Sequence, residues 1–232
     1  FDLRAPYEMN RLLQGDVGSG KTIVATIAMV ATALTGKQAA LMVPTEILAE
    51  QHMLTIEKLL QGTSLKAVLL TGSMNRSQKK RKELLAQIES GKANLVIGTH
   101  ALFQQDVNFK DLAFVVIDEQ HRFGVQQRQA LAGKGAGVNV LQMTATPIPR
   151  TLAITAFGEM DTSILSEIPR GRQPIKTSWV REQEMEQIFN FVERQIQEGR
   201  QAYMISPLIE ESEHLDVQNA EEIYRMISAH FS

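Results

Sequence analysis

The sequence predicts an α/β fold built on a parallel sheet with helices on both faces. Three observations carry that expectation. Short, nearly continuous apolar runs alternate with amphipathic stretches of helical length. Runs of that kind mark strands buried on both faces, as in a parallel sheet. A glycine-rich segment, GDVGSGKT at 15–22, lies between the first run and the first helix. The rhythm breaks at EIPRGRQP (167–174) and then restarts, which predicts a second α/β domain.

RLLQ (11–14) is the first strand, followed by a helix over about Lys21–Leu34. AALMV (39–43) is the second, and Pro44 and Thr45 open a helix over Glu46–Leu60. Ile47, Leu48, Ile56, Leu59 and Leu60 are its expected core face. KAVLLTG is a third strand, followed by a basic helix near Ser77–Ser90 that Gly91 stops. NLVIGT, AFVVID and VLQMTAT are further strands. The expected division is a complete α/β domain over 1–168, a linker over 169–174, and the opening part of a second domain over 175–232. In that second part IKTSWV and QAYMISPL read as strands, with a helix over Glu182–Glu198 and another near the end. The short lead-in FDLRAPYEMNRLL and the helix-like close AEEIYRMISAHFS predict a piece of a longer protein.

Composition narrows the function classes. Lys plus Arg is 24 against 26 for Asp plus Glu, so the formal charge is -2 and no global basic field announces nucleic acid. A polyanion must then be held by a local patch or by backbone groups. Cysteine is absent, which excludes disulfides and thiolate metal sites and fits a reducing compartment. No apolar run reaches membrane-spanning length, and a cytoplasmic protein without a membrane partner is expected.

GDVGSGKT fits the phosphate-loop pattern G-x-x-x-x-G-K-[ST] in its required strand-to-helix context. Gly15, Asp16, Val17, Gly18, Ser19, Gly20, Lys21 and Thr22 form the expected ATP-binding loop. Its glycines let successive amides face phosphate oxygens, and the helix adds its positive end. Lys21 reaches the β- and γ-phosphates, and Thr22 offers a hydroxyl to Mg²⁺. FVVIDEQHRFG (114–124) ends a buried run in adjacent carboxylates, for which packing gives no reason. Asp118 is placed to hold the Mg²⁺ shared with Thr22, and Glu119 to orient or deprotonate the attacking water. The expected catalytic set is therefore Lys21, Asp118 and Glu119, with ATP and Mg²⁺ as cofactors.

GDVGSGKT, PTEILAEQH, GTHALF, DEQHRFGV and TATPIPRT follow one another in order. This series resembles the first motor domain of superfamily 2 helicases and translocases. The resemblance is closer to the RecG family of branched-DNA remodellers, on DEQHRFGVQQR and MTATPIPRTLAIT, and spans about Leu12 to Ile209. It implies a RecA-like P-loop sheet and ATP-driven remodelling of forked or branched DNA in repair and recombination, in a bacterial, nucleoid-associated setting. The partner DNA is gripped mainly through its phosphates, with Thr45, Thr71, Thr99 and Arg150 as implied contacts. Gln120, His121, Thr144 and Thr146 are the implied coupling network between nucleotide state and the second domain. The basic run RSQKKRKE (76–83) reads as a solvated face or as a surface for duplex DNA.

The resemblance also implies missing parts. The adenine-reading glutamine is expected upstream, because Gln14 is too near the loop, and the second domain's arginines beyond Ser232. A branch-wedge domain is expected elsewhere in the parent, so the fragment alone is expected to hydrolyse ATP poorly. Two alternatives stay open. Transcription-repair coupling translocases share RFGV and TATPIPRT but typically carry a second Glu at the position of Gln120. A non-catalytic, nucleotide-dependent binding module is the other.

Overall fold

The computed structural model describes residues 3, 5–72, 78–119, 131–146, 160–167, 175–205 and 220–231. The chain divides into two compact units, Phe1–Arg172 and Gln173–Ser232.

In the first unit the apolar runs become strands β1 (Asn10–Gly15), β2 (Gln38–Met42), β3 (Ala67–Leu70), β4 (Leu95–Gly98), β5 (Leu112–Asp118), β6 (Asn139–Thr144) and β7 (Asp161–Leu165). They form one seven-stranded sheet in the order β3-β4-β2-β5-β6-β1-β7. Every neighbouring pair is parallel. Parallel strands need crossovers: α1 (Lys21–Ala33) carries the chain from β1 to β2, α2 (Glu46–Leu59) from β2 to β3, and α3 (Gln78–Glu89) from β3 to β4.

Alternation along each strand divides the core between the two faces. On β5, Phe114 and Val116 join Leu41 of β2 and Ile97 of β4 beneath Met29 of α1 and Ile56 of α2. Val115 and Ile117 face the other way, with Met42, Val96, Ile88 of α3 and Leu102. At the amino edge the buried Gln38 amide is fully used. Its Nε2 donates to the carbonyls of Ile88 and Ala93, and its Oε1 accepts from the amides of Lys110 and Asp111.

Four details depart from the expectations. Strand β7 was not anticipated, because DTSIL is too polar to read as a core run. It is an edge strand, where one side meets water, and it pairs with β1. Arg11 holds it in place by donating to Ser163 Oγ at 2.9 Å and Asp161 Oδ2 at 3.3 Å. On α2 the core-facing stripe is buried Ala49, Ile56 and Leu60 with partly buried Leu48 and Met53, at helical spacing, while Ile47 and Leu59 lie off it and are exposed.

The third departure lies in the basic run. Arg81 is buried, not solvated, and its guanidinium grips Asp106 at 2.8 and 3.0 Å and Gln104 at 2.8 Å. Nearby Lys134 donates to the carbonyls of Gln104 and Val107. Burial lowers its pKa from the usual lysine range, and the Asp106 charge opposes that shift. Lys79 and Lys80 are exposed, whereas Arg76 and Ser77 lie outside the described residues.

The fourth concerns the second unit. Residues 175–181 and 201–205 form no strand, and QAYMISPL continues outside the described residues. Extended apolar segments become strands only when neighbours satisfy their backbone groups, and two parallel candidates make no stable sheet by themselves. The described unit consists of a short 3-10 turn at Glu182–Glu184 and helices α4 (Met185–Gln197) and α5 (Ala220–His230). Phe189 of α4 stacks near His230 and Phe231, with ring centroids 5.1 and 6.0 Å apart. Among the described residues no helix is long and apolar enough to cross a membrane.

Candidate active site

The phosphate loop leaves the carboxyl end of β1 and turns into α1. Gly18 and Gly20 both have positive φ, 78° and 95°, which side chains with a Cβ rarely adopt. Gly15 is needed for a different reason. A Cβ there would lie 2.5 Å from Ser19 Oγ and 3.0 Å from Leu165 Cβ, against the neighbouring strand β7. Within the loop the Val17 amide donates to Asp16 Oδ1, and the Ser19 amide to the Asp16 carbonyl. Lys21 folds back over it, its Nζ donating to the carbonyls of Gly15 at 2.6 Å and Asp16 at 2.8 Å. An ammonium has three donors, so one remains for a ligand.

The start of α1 differs from that of α2. Helix α2 is capped by the Thr45 side chain, which accepts from the Leu48 amide, and carries Glu46 in its first turn. Helix α1 has left-handed Gly20 at its cap position, no side-chain cap and no acidic residue in its first turn. Its leading amides and partial positive charge therefore have no anion from the helix's own first turn to answer them. Thr22 lies in that first turn and is partly buried. The Ser19 hydroxyl is buried in the loop without a hydrogen-bond partner among the described residues.

Asp118 ends β5. It has the parity of Phe114 and Val116, so it emerges on the face that α1 and α2 cover. Strand β6 alone separates β5 from β1, with Asp118 level with Met143 and Met143 level with Leu13. Two inter-strand steps amount to about 10 Å. The phosphate loop and Asp118 thus stand at the same edge, on the same face, across a gap of triphosphate size.

Both Asp118 oxygens are oriented. Oδ1 accepts from the Glu119 amide at 3.0 Å, and Oδ2 lies 3.3 Å from Nε2 of His52 on α2. A carboxylate offers about four acceptor positions, so each oxygen keeps capacity for a metal or a water. Glu119 has φ 51°, the sole positive value at a non-glycine among the described residues. Residues held in that region cluster at functional sites. The strain turns the chain off the strand immediately after Asp118.

On β6, Thr144 is buried, and its hydroxyl shares a 2.8 Å hydrogen bond with that of Thr146. The Thr146 amide also donates to Thr144 Oγ1. Gln120 and His121, the other expected coupling residues, and Arg150 lie outside the described residues. The three expected threonine contacts separate. Thr45 is exposed, whereas Thr71 and Thr99 are only 3% and 1% exposed. Thr99 Oγ1 is buried and has no hydrogen-bond partner among the described residues. The sequence reading missed His52, whose only signal was its place in PTEILAEQH.

Comparisons with known proteins agree with this architecture. Residues 5–154 match the DEAD/DEAH box helicase family. The chain is 56% identical over 227 residues to the ATP-dependent DNA helicase RecG of Bacillus subtilis (strain 168), covering 98% of this chain and 33% of that protein. It is 54% identical over 231 residues to the ATP-dependent DNA helicase RecG of Streptococcus pneumoniae serotype 4, covering 100% of this chain and 34% of that relative. The solved structure of RecG bound to a three-way DNA junction superposes with a TM-score of 0.80 at 38% identity, over 99% of this chain and 30% of that one. The chain thus spans about a third of the length of the curated relatives it matches. On the family match over most of its length, the chain belongs to the DEAD/DEAH box helicases, and along nearly all of that length it is similar to RecG.

Proposed function

We propose that this chain is the ATP-hydrolysing part of a motor that translocates on DNA and remodels forks and junctions during repair and recombination. Residues 1–168 serve as the ATP-binding domain, 169–174 as the linker, and 175–232 as the opening part of the partner domain. The rest of the motor and a branch-wedge domain belong to the full-length protein, which works at the bacterial nucleoid. The carrying observation is the uncapped glycine loop of α1 standing across one strand from Asp118, on the same sheet face.

The residues present fit a magnesium-bound triphosphate. Ser19 has a buried hydroxyl without a partner among the described residues, Lys21 keeps a free donor, and both Asp118 oxygens keep acceptor capacity. Thr22 and Asp118 hold the metal, Asp118 directly or through water. Magnesium, when bound, neutralises charge on the phosphoryl oxygens. Gly15–Thr22 orient the phosphates through backbone amides, and the Lys21 ammonium faces the charge that builds on them. Glu119 holds the attacking water in line and takes its proton. Thr144 and Thr146 sit at the end of β6, between the two halves of the site, and with Gln120 and His121 pass its state onward.

DNA is held through its phosphates. The Thr45 hydroxyl accepts from Leu48 and keeps its own proton for a phosphate oxygen. Arg150 supplies a further contact. The deciding assay is ATP hydrolysis by the full-length protein with linear, forked and four-way DNA across a salt series. Branched DNA should stimulate more than linear duplex, and DNA affinity should fall at least about tenfold between roughly 50 and 200 mM salt. Equal stimulation by linear and branched DNA, or affinity indifferent to salt, argues against this function.

A further inference from the structure

The His52–Asp118 contact has no role in the reaction described above. It joins two side chains 66 positions apart, at 3.3 Å, and both are largely buried, with side-chain exposures of 11% and 15%. An ionised carboxylate only accepts, so the imidazole must carry its hydrogen on Nε2 and donate it to Oδ2. The Glu119 amide occupies Oδ1. Together the two donors fix the plane of the carboxylate.

His52 is also the direct link from Asp118 to α2. That helix begins at exposed Thr45, whose hydroxyl caps the Leu48 amide. Seven residues of helix carry His52 about 10 Å from that cap, nearly two full turns. Ala49 and Ile56, both fully buried, seat α2 against the sheet on either side of His52 in sequence. A helix seated this way shifts as a body, so displacement at its start reaches the imidazole. The far end of that lever is an oxygen of the carboxylate.

We propose that His52 is a positioning residue for Asp118, which sets the carboxylate for magnesium and transmits DNA engagement at the start of α2 to the ATP site. The proposal rests on the motor reading above. Hydrogen-bond partners of metal-holding groups commonly change metal affinity or activity about 10- to 100-fold when removed. A clamp that merely stabilised the strand end would change melting temperature and leave the magnesium requirement alone.

The test compares the full-length protein with its His52→Leu, His52→Asn and His52→Gln variants. Three quantities are read: DNA-stimulated ATPase, the magnesium concentration for half-maximal activity, and the affinity for forked DNA. His52→Leu should raise the magnesium requirement about tenfold and cut stimulation by DNA about tenfold, with fork affinity changed less than about threefold. His52→Asn keeps a polar group too short to reach Oδ2 and should share the defect, which decides the matter if the leucine variant fails to fold. His52→Gln places an amide near the position of Nε2 and should recover activity to within about threefold of the parent. A wild-type magnesium requirement and wild-type stimulation in the folded leucine or asparagine variant overturn the proposal while leaving the motor reading intact. Absence of DNA-stimulated hydrolysis in the unmutated protein removes the motor reading, and this proposal with it.

Discussion

Replacing Glu119 by glutamine in the full-length protein should lower DNA-stimulated ATP hydrolysis by about a thousandfold while leaving ATP affinity within about threefold. The substitution keeps size and hydrogen-bonding reach but removes the group that takes a proton from water. General bases contribute roughly 10²- to 10⁴-fold, and a thousandfold corresponds to about 4 kcal/mol of barrier. ATP affinity is preserved because the phosphates are held by Gly15–Thr22, on a different strand end. Backbone strain does not confuse the comparison, since Glu and Gln tolerate the φ of 51° alike. Single-turnover hydrolysis and nucleotide-binding titration together make the measurement. Unimpaired hydrolysis would remove Glu119 from the reaction. Lost hydrolysis with DNA remodelling intact would favour a nucleotide-dependent binding module over a motor.

The second large effect falls on stability. Gly98 ends β4, level with Leu70 on β3 and Met42 on β2. A Cβ there would stand 2.2 Å from the Leu70 carbonyl oxygen and 3.0 Å from Leu102 Cγ. The nearer obstacle is backbone, so no rotamer change relieves it, and the strands must separate. Overpacking of this kind costs about 3 kcal/mol at the upper end of its usual range. Gly98→Ala should therefore lower the melting temperature of the first unit by roughly 6–12 °C, at about 2–4 °C per kcal/mol for a domain of this size. Gly36→Ala is the comparison: it meets no atom within 4 Å, and only its φ of 83° opposes a side chain. That strain costs about 1–2 kcal/mol. A folded Gly98→Ala protein as stable as the parent would mean that β3 and β4 do not pair as described.

Much of the first unit was legible because its strands are buried on both faces. ALM and FVVI leave no polar positions, and only a sheet covered on two sides accepts such runs. Strand β7 was hidden by the same logic, since an edge strand needs polar residues and DTSIL looks like a loop. The segments 175–181 and 201–205 show the converse error, in which apolar character was read as strand without a neighbour to pair with.

The strand ends that carry the candidate site were legible for a chemical reason. A loop of three glycines, a lysine and a threonine, and two carboxylates ending a buried run, have no good account in packing. Arg81 and His52 were not legible. In RSQKKRKE nothing distinguishes the arginine that turns inward to Asp106 from the exposed lysines beside it. The partner of His52 lies 66 residues away, and one sequence cannot announce so distant a pairing. Thr71 and Thr99 show a related limit: strand-end position was legible, whereas the burial of these residues was not.

The most direct measurement is a crystal structure of the full-length protein with magnesium and a non-hydrolysable ATP analogue. The ion should bind the Thr22 hydroxyl at about 2.1 Å and reach an Asp118 oxygen directly or through one water, within about 4.5 Å. The terminal phosphates should lie on the amides of Gly18–Thr22. An ion held away from Asp118, or a nucleotide seated elsewhere on the sheet, would contradict the account at its centre.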